Sequence, residues 1–343
     1  MAWNVTETIG SDEDWTTLAA FEGDHDGDTP TDGTDCIGQV KGVPADSGIS
    51  YWTGWQSGMD ADTRIILEAK SGSETDGKTD ATGDLASIQD RLYMSETTNV
   101  LWVIIRDIEF TASGRGIEWT ADASGNTLYV IRCMFRDMSY SGITIDVSSG
   151  TSTINIGGCL GKDLDTNYRA FMNCPDADST VAVVNCTVAN SQHGLFQVAG
   201  TVSAKNVAVT NSDSSDFQGT ISETTTKSEE DGDITNNDAD DFTEPSTDDY
   251  TVYDTDSNLY HTGTAEAGSW FTSLCSVDFA GTSWASPPSV GCFEFPEAAG
   301  ARRIIMSSTS WRLFAFMPFL VGVIKNPFLK RRDFFNPKNW MKK

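Results

Sequence analysis

Between Val103 and Val209 one arrangement of apolar residues recurs five times. The copies are Val103, Ile105, Ile108 and Phe110; Leu128, Val130, Cys133 and Phe135; Ile154, Ile156, Cys159 and Gly161; Val181, Val183, Cys186 and Val188; and Val202, Ala204, Val207 and Val209. Successive third members stand 25, 26, 27 and 21 residues apart, the period of a coil that returns to one place once per turn. Within a copy the offsets are 0, 2, 5 and 7. A straight strand alternates faces with period two, so the extra residue marks a bend. Gly157-Gly158, Val184-Asn185 and Lys205-Asn206 fill that bend in the last three copies, and Gly and Asn accept the left-handed backbone of a tight corner. Asp107 and Arg132 fill it in the first two and fit less well by residue type. A second polar stop follows at Asp137, Asp163, Asn190 and Asn211, and then a short apolar stretch opening at Ile117, Ile143, Ala170 or Leu195. Three short strands per turn predict a parallel β-helix. A leucine-rich repeat would need a Leu-rich consensus of about 20–29 residues, and no copy has one.

The three-strand turn with a polar tight corner resembles the right-handed β-helices of the pectate-lyase-like superfamily. Asp14-Trp15-Thr16-Thr17-Leu18-Ala19-Ala20-Phe21-Glu22 is similar to the short helix that caps the first turn in many such domains, especially in phage structural proteins. Val277-Asp278-Phe279-Ala280-Gly281, followed by Ser289-Val290-Gly291-Cys292-Phe293-Glu294-Phe295, is similar to the D-x-x-G … I-G-A-F-E-Y ending of these folds. The expected fold is therefore all-β: a right-handed parallel β-helix with a short N-terminal capping helix and a C-terminal tail. The expected divisions are 1–60 for the cap and first turns, 61–225 for the β-helix, 226–297 for irregular last turns and a closing cap, and 298–343 for the tail. The acidic, Thr-rich stretch 222–249 is too polar to supply a buried face. From Tyr250 to Phe295 returning aromatics predict the cap.

Charge changes this picture in two ways. The formal net charge of −27 argues against nucleic acid as a partner of the body. From Ala301 onward, however, the chain carries +9, which leaves −36 on residues 1–300. The tail contains a twelve-residue apolar run, Leu313 to Ile324, broken by Pro318 and Gly322. A spanning helix needs about 20 predominantly apolar residues, so a membrane anchor is disfavoured. The run reads instead as a docking segment, with Trp311, Phe314, Phe316 and Phe319 as apolar contacts and Arg331 and Arg332 among its basic flanks. Its expected partners are other virion proteins or sister subunits.

The seven cysteines show no metal-ligand spacing. Cys133, Cys159 and Cys186 share one column and are expected to form a ladder of small buried thiols. Met1-Ala2-Trp3-Asn4 lacks the basic and apolar regions of a secretory signal. Synthesis in a host cytoplasm without export follows as the expectation, and the sequons at Asn4 and Asn185 then carry no meaning.

Candidate chemistry is sparse. Of the N-T-D, D-D, G-H-G and R-I-K set of β-helical polygalacturonases, only His193-Gly194 is present within the copies. Asp240-Asp241 and Asp248-Asp249 fall in the irregular region. The W-x-D-H and R-x-P-x-x-R signatures of pectate lyases are absent, although Arg132, Arg169 and Lys205 could form a basic spot. Asp24, Asp26 and Asp28 alternate as calcium ligands do, with the first and third fitting an EF-hand loop. Thr29 and Asp35 depart from that loop at its sixth and twelfth positions, and an acidic solvated loop is the competing reading. No other cofactor is expected. Two functions follow from the resemblance: a non-enzymatic bacteriophage spike, fibre or decoration protein with a saccharide as a further partner, or a polysaccharide lyase or hydrolase with a diverged site.

Overall fold

A computed structural model of the chain describes residues 4–45, 49–75, 85–89, 91–111, 114–164, 170–228, 242–244, 249–252, 257–265 and 269–294. The chain divides into two compact units, Met1–Pro296 and Glu297–Lys343. The second unit, with the docking candidates Trp311, Phe314, Phe316, Phe319, Arg331 and Arg332, lies outside the described residues, as does Arg169.

The first unit is a parallel β-helix with three faces. The first face stacks Val5–Ile9, Cys36–Val40, Ile65–Ala69, Trp102–Arg106, Asn126–Ile131, Ser152–Gly157, Ser179–Val184, Thr201–Lys205 and Ile221–Thr224, each parallel to the next. The second stacks Ser87–Ile88, Glu109–Phe110, Met134–Arg136 and Leu160–Lys162. The third stacks Ile49–Trp52, Arg91–Met94, Ile117–Trp119, Ile143–Ile145 and Ala170–Cys174. Thr187–Gln197 and Ala208–Gln218 each run through the second face, bend, and continue into the third.

The register matches the repeat. Val103, Leu128, Ile154, Val181 and Val202 are mutual partners, as are Ile105, Val130, Ile156, Val183 and Ala204. Ile108, Cys133, Cys159, Cys186 and Val207 have no solvent exposure, and all seven cysteines are free. The corner before this column is left-handed throughout, at Asp107, Arg132, Gly158, Asn185 and Asn206. Asp107 and Arg132 adopt φ of 63° and 48° despite their type. Arg132 donates to both oxygens of Asp107, at 2.6 and 2.9 Å, and this two-bond contact offsets the strain. The second corner is left-handed at Asp137, Asp163, Asn190 and Asn211. There Asn211 donates to Asn190 at 2.6 Å and Asn190 to Asp163 at 2.8 Å, a polar ladder that satisfies each rung from the next. Gly161 stands in an otherwise apolar column because Phe171 takes the space: a Cβ on Gly161 would lie 2.5 Å from the Phe171 ring.

The coil begins before the repeated copies. Ile65 and Leu67 continue the two columns upstream, followed by Cys36 and Gly38 and then Val5 and Glu7. The capping helix is Leu18–His25, with Thr17 accepting from the Ala20 N–H at 3.0 Å. It starts later than the sequence predicts, because Trp15 bridges to Ile9 and Asp14 accepts from the Thr8 N–H at 2.9 Å. The helix lowers Phe21 onto Gly38, whose missing side chain admits the ring. Residues of a late segment, Tyr250, Leu259, Val290 and Phe293, pack on the outside of the second face and cover Met134, Leu160, Ala189 and Ala208. The closing motif is held by two buried carboxylates. Asp278 accepts from the N–H groups of Thr282 and Glu294 at 2.7 and 2.8 Å, and Glu294 accepts from the N–H and hydroxyl of Ser289 at 3.0 and 2.6 Å.

Candidate functional site

Outward side chains of the first face form rows perpendicular to the strands, set by the same register as the core. One row runs Ile66, Ile104, Tyr129 and Asn155, and Trp102 stands one row aside, paired with Thr127. The helix Ser269–Leu274 is laid across these rows. Phe271 and Cys275 bury Ile131 and Val184, and Gly157 makes the approach possible, since a Cβ there would sit 3.1 Å from both Phe271 and Trp270. This docking brings Trp270 beside the sheet. Its ring centroid lies 6.1 Å from that of Tyr129, which lies 6.3 Å from that of Trp102.

The three rings line a groove of about 350 Å³, with Ile104 as floor and Arg64 at one edge. Arg64 is fixed by a two-bond contact to Asp35, at 3.0 and 2.8 Å. Burial raises the pKa of the Tyr129 phenol, with Arg64 opposing, so the hydroxyl stays neutral and able to donate. Aromatic rings beside a fixed guanidinium and a phenol offer apolar faces to C–H groups and polar groups to hydroxyls. A second cavity of about 300 Å³ lies where Phe271, Cys275 and Trp284 meet Asn185.

The residues singled out in the sequence are dispersed. Asp24, Asp26 and Asp28 surround the end of the capping helix: Asp28 lies 3.5 Å from His25 Nδ1, Asp24 lies 4.0 Å from Nε2, and Asp26 is the C-cap. Glu7 is nearer to Nε2, at 3.0 Å. Among the described residues no three His, Cys, Asp or Glu side chains are grouped to hold a metal ion. His193 is buried, with Nδ1 2.9 Å from the Ser215 hydroxyl. Arg132 is engaged by Asp107, and Lys205 donates to the Ala265 carbonyl at 2.9 Å, three coils further along. Asn185 of the sequon is fully buried. No helix among the described residues is long and apolar enough to cross a membrane.

Sequence reasoning missed a carboxylate pair at the third corner, Asp146 and Asp176, with the charges of Asp122 and Asp178 nearby. The hydrogen bond with Asp146, then burial and the neighbouring charges, raise Asp176 to about 6. Two carboxyls in mutual hydrogen bond stand closer than the roughly 5 to 9.5 Å that glycoside hydrolysis requires of its pair. The aromatic groove was missed as well. Trp102 and Tyr129 stand outside the apolar copies, and Trp270 joins them only through the late helix.

The fold and the groove define a parallel β-helix protein with an aromatic surface site. No protein-family profile and no curated protein matches the chain. Among solved structures it is similar to the crystal structure of pectate lyase Pel9A, with 12% identity and a TM-score of 0.33 over 85% of this chain and 98% of that one.

Proposed function

We propose that this chain is a structural protein of a bacteriophage particle, of spike, fibre or decoration type, whose β-helical body contacts a host-surface saccharide. The observation that carries the saccharide contact is the set of neighbouring rings Trp102, Tyr129 and Trp270 on the first face. An extended glycan suits a solenoid face, because each further coil adds another row of outward side chains. The neighbouring row supplies polar contacts along the same direction: Gln39 donates to Glu68 at 2.9 Å, and Arg106 donates to Glu68 at 2.8 Å. Seven free, buried thiols support assembly in a reducing host cytoplasm. The tail, through Trp311, Phe314, Phe316, Phe319, Arg331 and Arg332, attaches the body to other virion proteins or to sister chains.

Binding of neutral oligosaccharides to the full chain, followed by tryptophan fluorescence and calorimetry, tests the groove. Trp102→Ala and Tyr129→Ala should each weaken binding about tenfold, since losing an aromatic contact with its area costs on the order of 1–2 kcal/mol. Neither reducing ends nor unsaturated uronides should appear. Unchanged affinity in both variants rejects the groove, and turnover returns the chain to the lyase or hydrolase class. Deleting residues 301–343 should leave saccharide binding intact and abolish incorporation into particles. Normal incorporation would reject the attachment role.

A further inference from the structure

Six arginines lie among the described residues, and four have a carboxylate of their own: Arg64 with Asp35, Arg106 with Glu68, Arg132 with Asp107, and Arg136 with Glu109. Arg91 and Arg115 instead share one. Arg91 Nη2 reaches Glu118 Oε2, and Arg115 Nη1 lies 2.6 Å from Glu118 Oε1. Glu118 is 5% exposed, whereas the two guanidiniums keep 26% and 32% of their surface in solvent. Within this trio two cations share one buried anion, an excess of one positive charge in a chain whose formal charge is −27.

The register explains why these groups meet. Outward residues of the third face form the row Tyr51, Tyr93, Glu118, Thr144, Asn173 and Phe196, in which Glu118 is the one charged member. Arg91 enters from the strand carrying Tyr93, and Arg115 from the turn just before Glu118. Each guanidinium lies over a ring, Arg91 over Tyr93 at 5.1 Å and Arg115 over Tyr140 at 5.8 Å. Ring and carboxylate together fix both forks before any ligand arrives, which lowers the ordering cost of binding. Burial, then the Arg115 charge, lowers the pKa of Arg91, consistent with two guanidiniums held side by side. Beside them Tyr51 and Tyr140 are 55% and 49% exposed, and Tyr51 packs edge-on against Tyr93 with centroids 5.4 Å apart.

We propose that Arg91 and Arg115, braced on Glu118, form a binding site for a carboxylate group carried on a ring, with Tyr51 and Tyr140 as flanking surfaces. Each guanidinium has five N–H donors and commits one nitrogen to Glu118, so donors remain for a second planar carboxylate. One net positive charge matches a monoanion. A phosphate dianion would leave the complex negative within an already acidic surface. The site lies on a different face from the aromatic groove and does not depend on the saccharide reading.

Calorimetry and NMR of the full chain with glucuronate, benzoate, acetate and glucose test it. Glucuronate should bind at least about tenfold more tightly than glucose, the factor that one charge-assisted hydrogen-bond contact supplies. Raising salt from about 20 to about 200 mM should weaken it several-fold. Tight benzoate binding would identify ring carboxylates in general as ligands, and glucuronate binding alone would identify sugar acids. Arg115→Gln should reduce affinity about tenfold. Trp102→Ala should have no effect here. Melting curves identify any variant that has not folded, and the salt dependence of the unmodified chain stands without variants. Equal affinity for glucuronate and glucose, or no loss in folded Arg115→Gln, would overturn the proposal.

Discussion

Replacing Cys159 with aspartate places an ionisable group at the centre of the stacked column. Cys159 has no exposure, and its Sγ faces the carbonyl oxygens of Val130 and Gly157 at 3.4 and 3.5 Å. Two carbonyls can accept from a protonated carboxyl, but they repel a carboxylate. The introduced group therefore stays neutral, with a folded-state pKa far above its unfolded value of about 3.9. The sign follows directly. Below about pH 4 both states hold the proton and the penalty is absent; as pH rises it grows by about 1.36 kcal/mol per unit, reaching about 4 kcal/mol at pH 7. The native thiol adds no slope, because burial and then Cys186 raise its pKa and keep it neutral across this range. Hydrogen exchange on Asn126–Ile131, Ser152–Gly157 and Ser179–Val184 reads the loss where it occurs, since a solenoid couples mainly nearest neighbours. Relative to the unmodified chain, protection in these strands should fall by about 2.7 kcal/mol more at pH 7 than at pH 5. Cys159→Ala should show no such slope. A penalty under about 1 kcal/mol, or one independent of pH, would refute the buried column.

Two further outcomes follow from packing and burial. Gly161→Ala should destabilise the second face by about 1–3 kcal/mol in hydrogen exchange, because its Cβ would overlap the buried Phe171 ring, and Phe171→Leu should recover part of the loss. Burial raises Glu22 beneath the capping helix to about 7, with Asp26 adding and the Thr53 N–H opposing. Its contribution to cap stability should be complete below about pH 4.5 and fall, by at most about 3 kcal/mol, as pH rises through 7. Exchange at Cys36–Val40 should follow that profile, and Glu22→Gln should flatten it.

The core of the coil was legible because its constraints are periodic. An inward residue in one coil must meet an inward residue in the next, and a tight corner must tolerate left-handed backbone, so both leave a signal at the same offset in every copy. The signal fails where a single coil solves the problem differently. Gly38 and Glu7 break the apolar column, yet Phe21 fills the space over Gly38, and Glu7 meets Trp15 and His25 beneath the cap. The first-face strands upstream are also unevenly spaced, with Cys36, Ile65 and Val103 lying 29 and 38 residues apart, so no fixed period finds them. Asp278 and Glu294 stand in the closing motif, but only their hydrogen bonds to the cap loop show what they hold.

Surface chemistry leaves no such trace, for a physical reason. Outward residues need only suit their neighbours in the same row, and those neighbours are a whole coil away in sequence. Glu118 becomes intelligible only once it stands between Tyr93 and Thr144, with Arg91 and Arg115 converging on it. Trp270 joins Tyr129 across 141 residues because Gly157 lets a late helix reach the sheet. Rows can therefore change character along one face without disturbing the column beneath, as the first face does in passing from the Gln39, Glu68 and Arg106 row to Ile131, Gly157 and Val184. A β-helix thus separates what makes it fold from what it contacts. Among the described residues the inward columns carry almost no charge, and the aromatic cluster of Trp102, Tyr129 and Trp270 and the Arg91, Arg115 and Glu118 trio stand outside them, over the first and third faces.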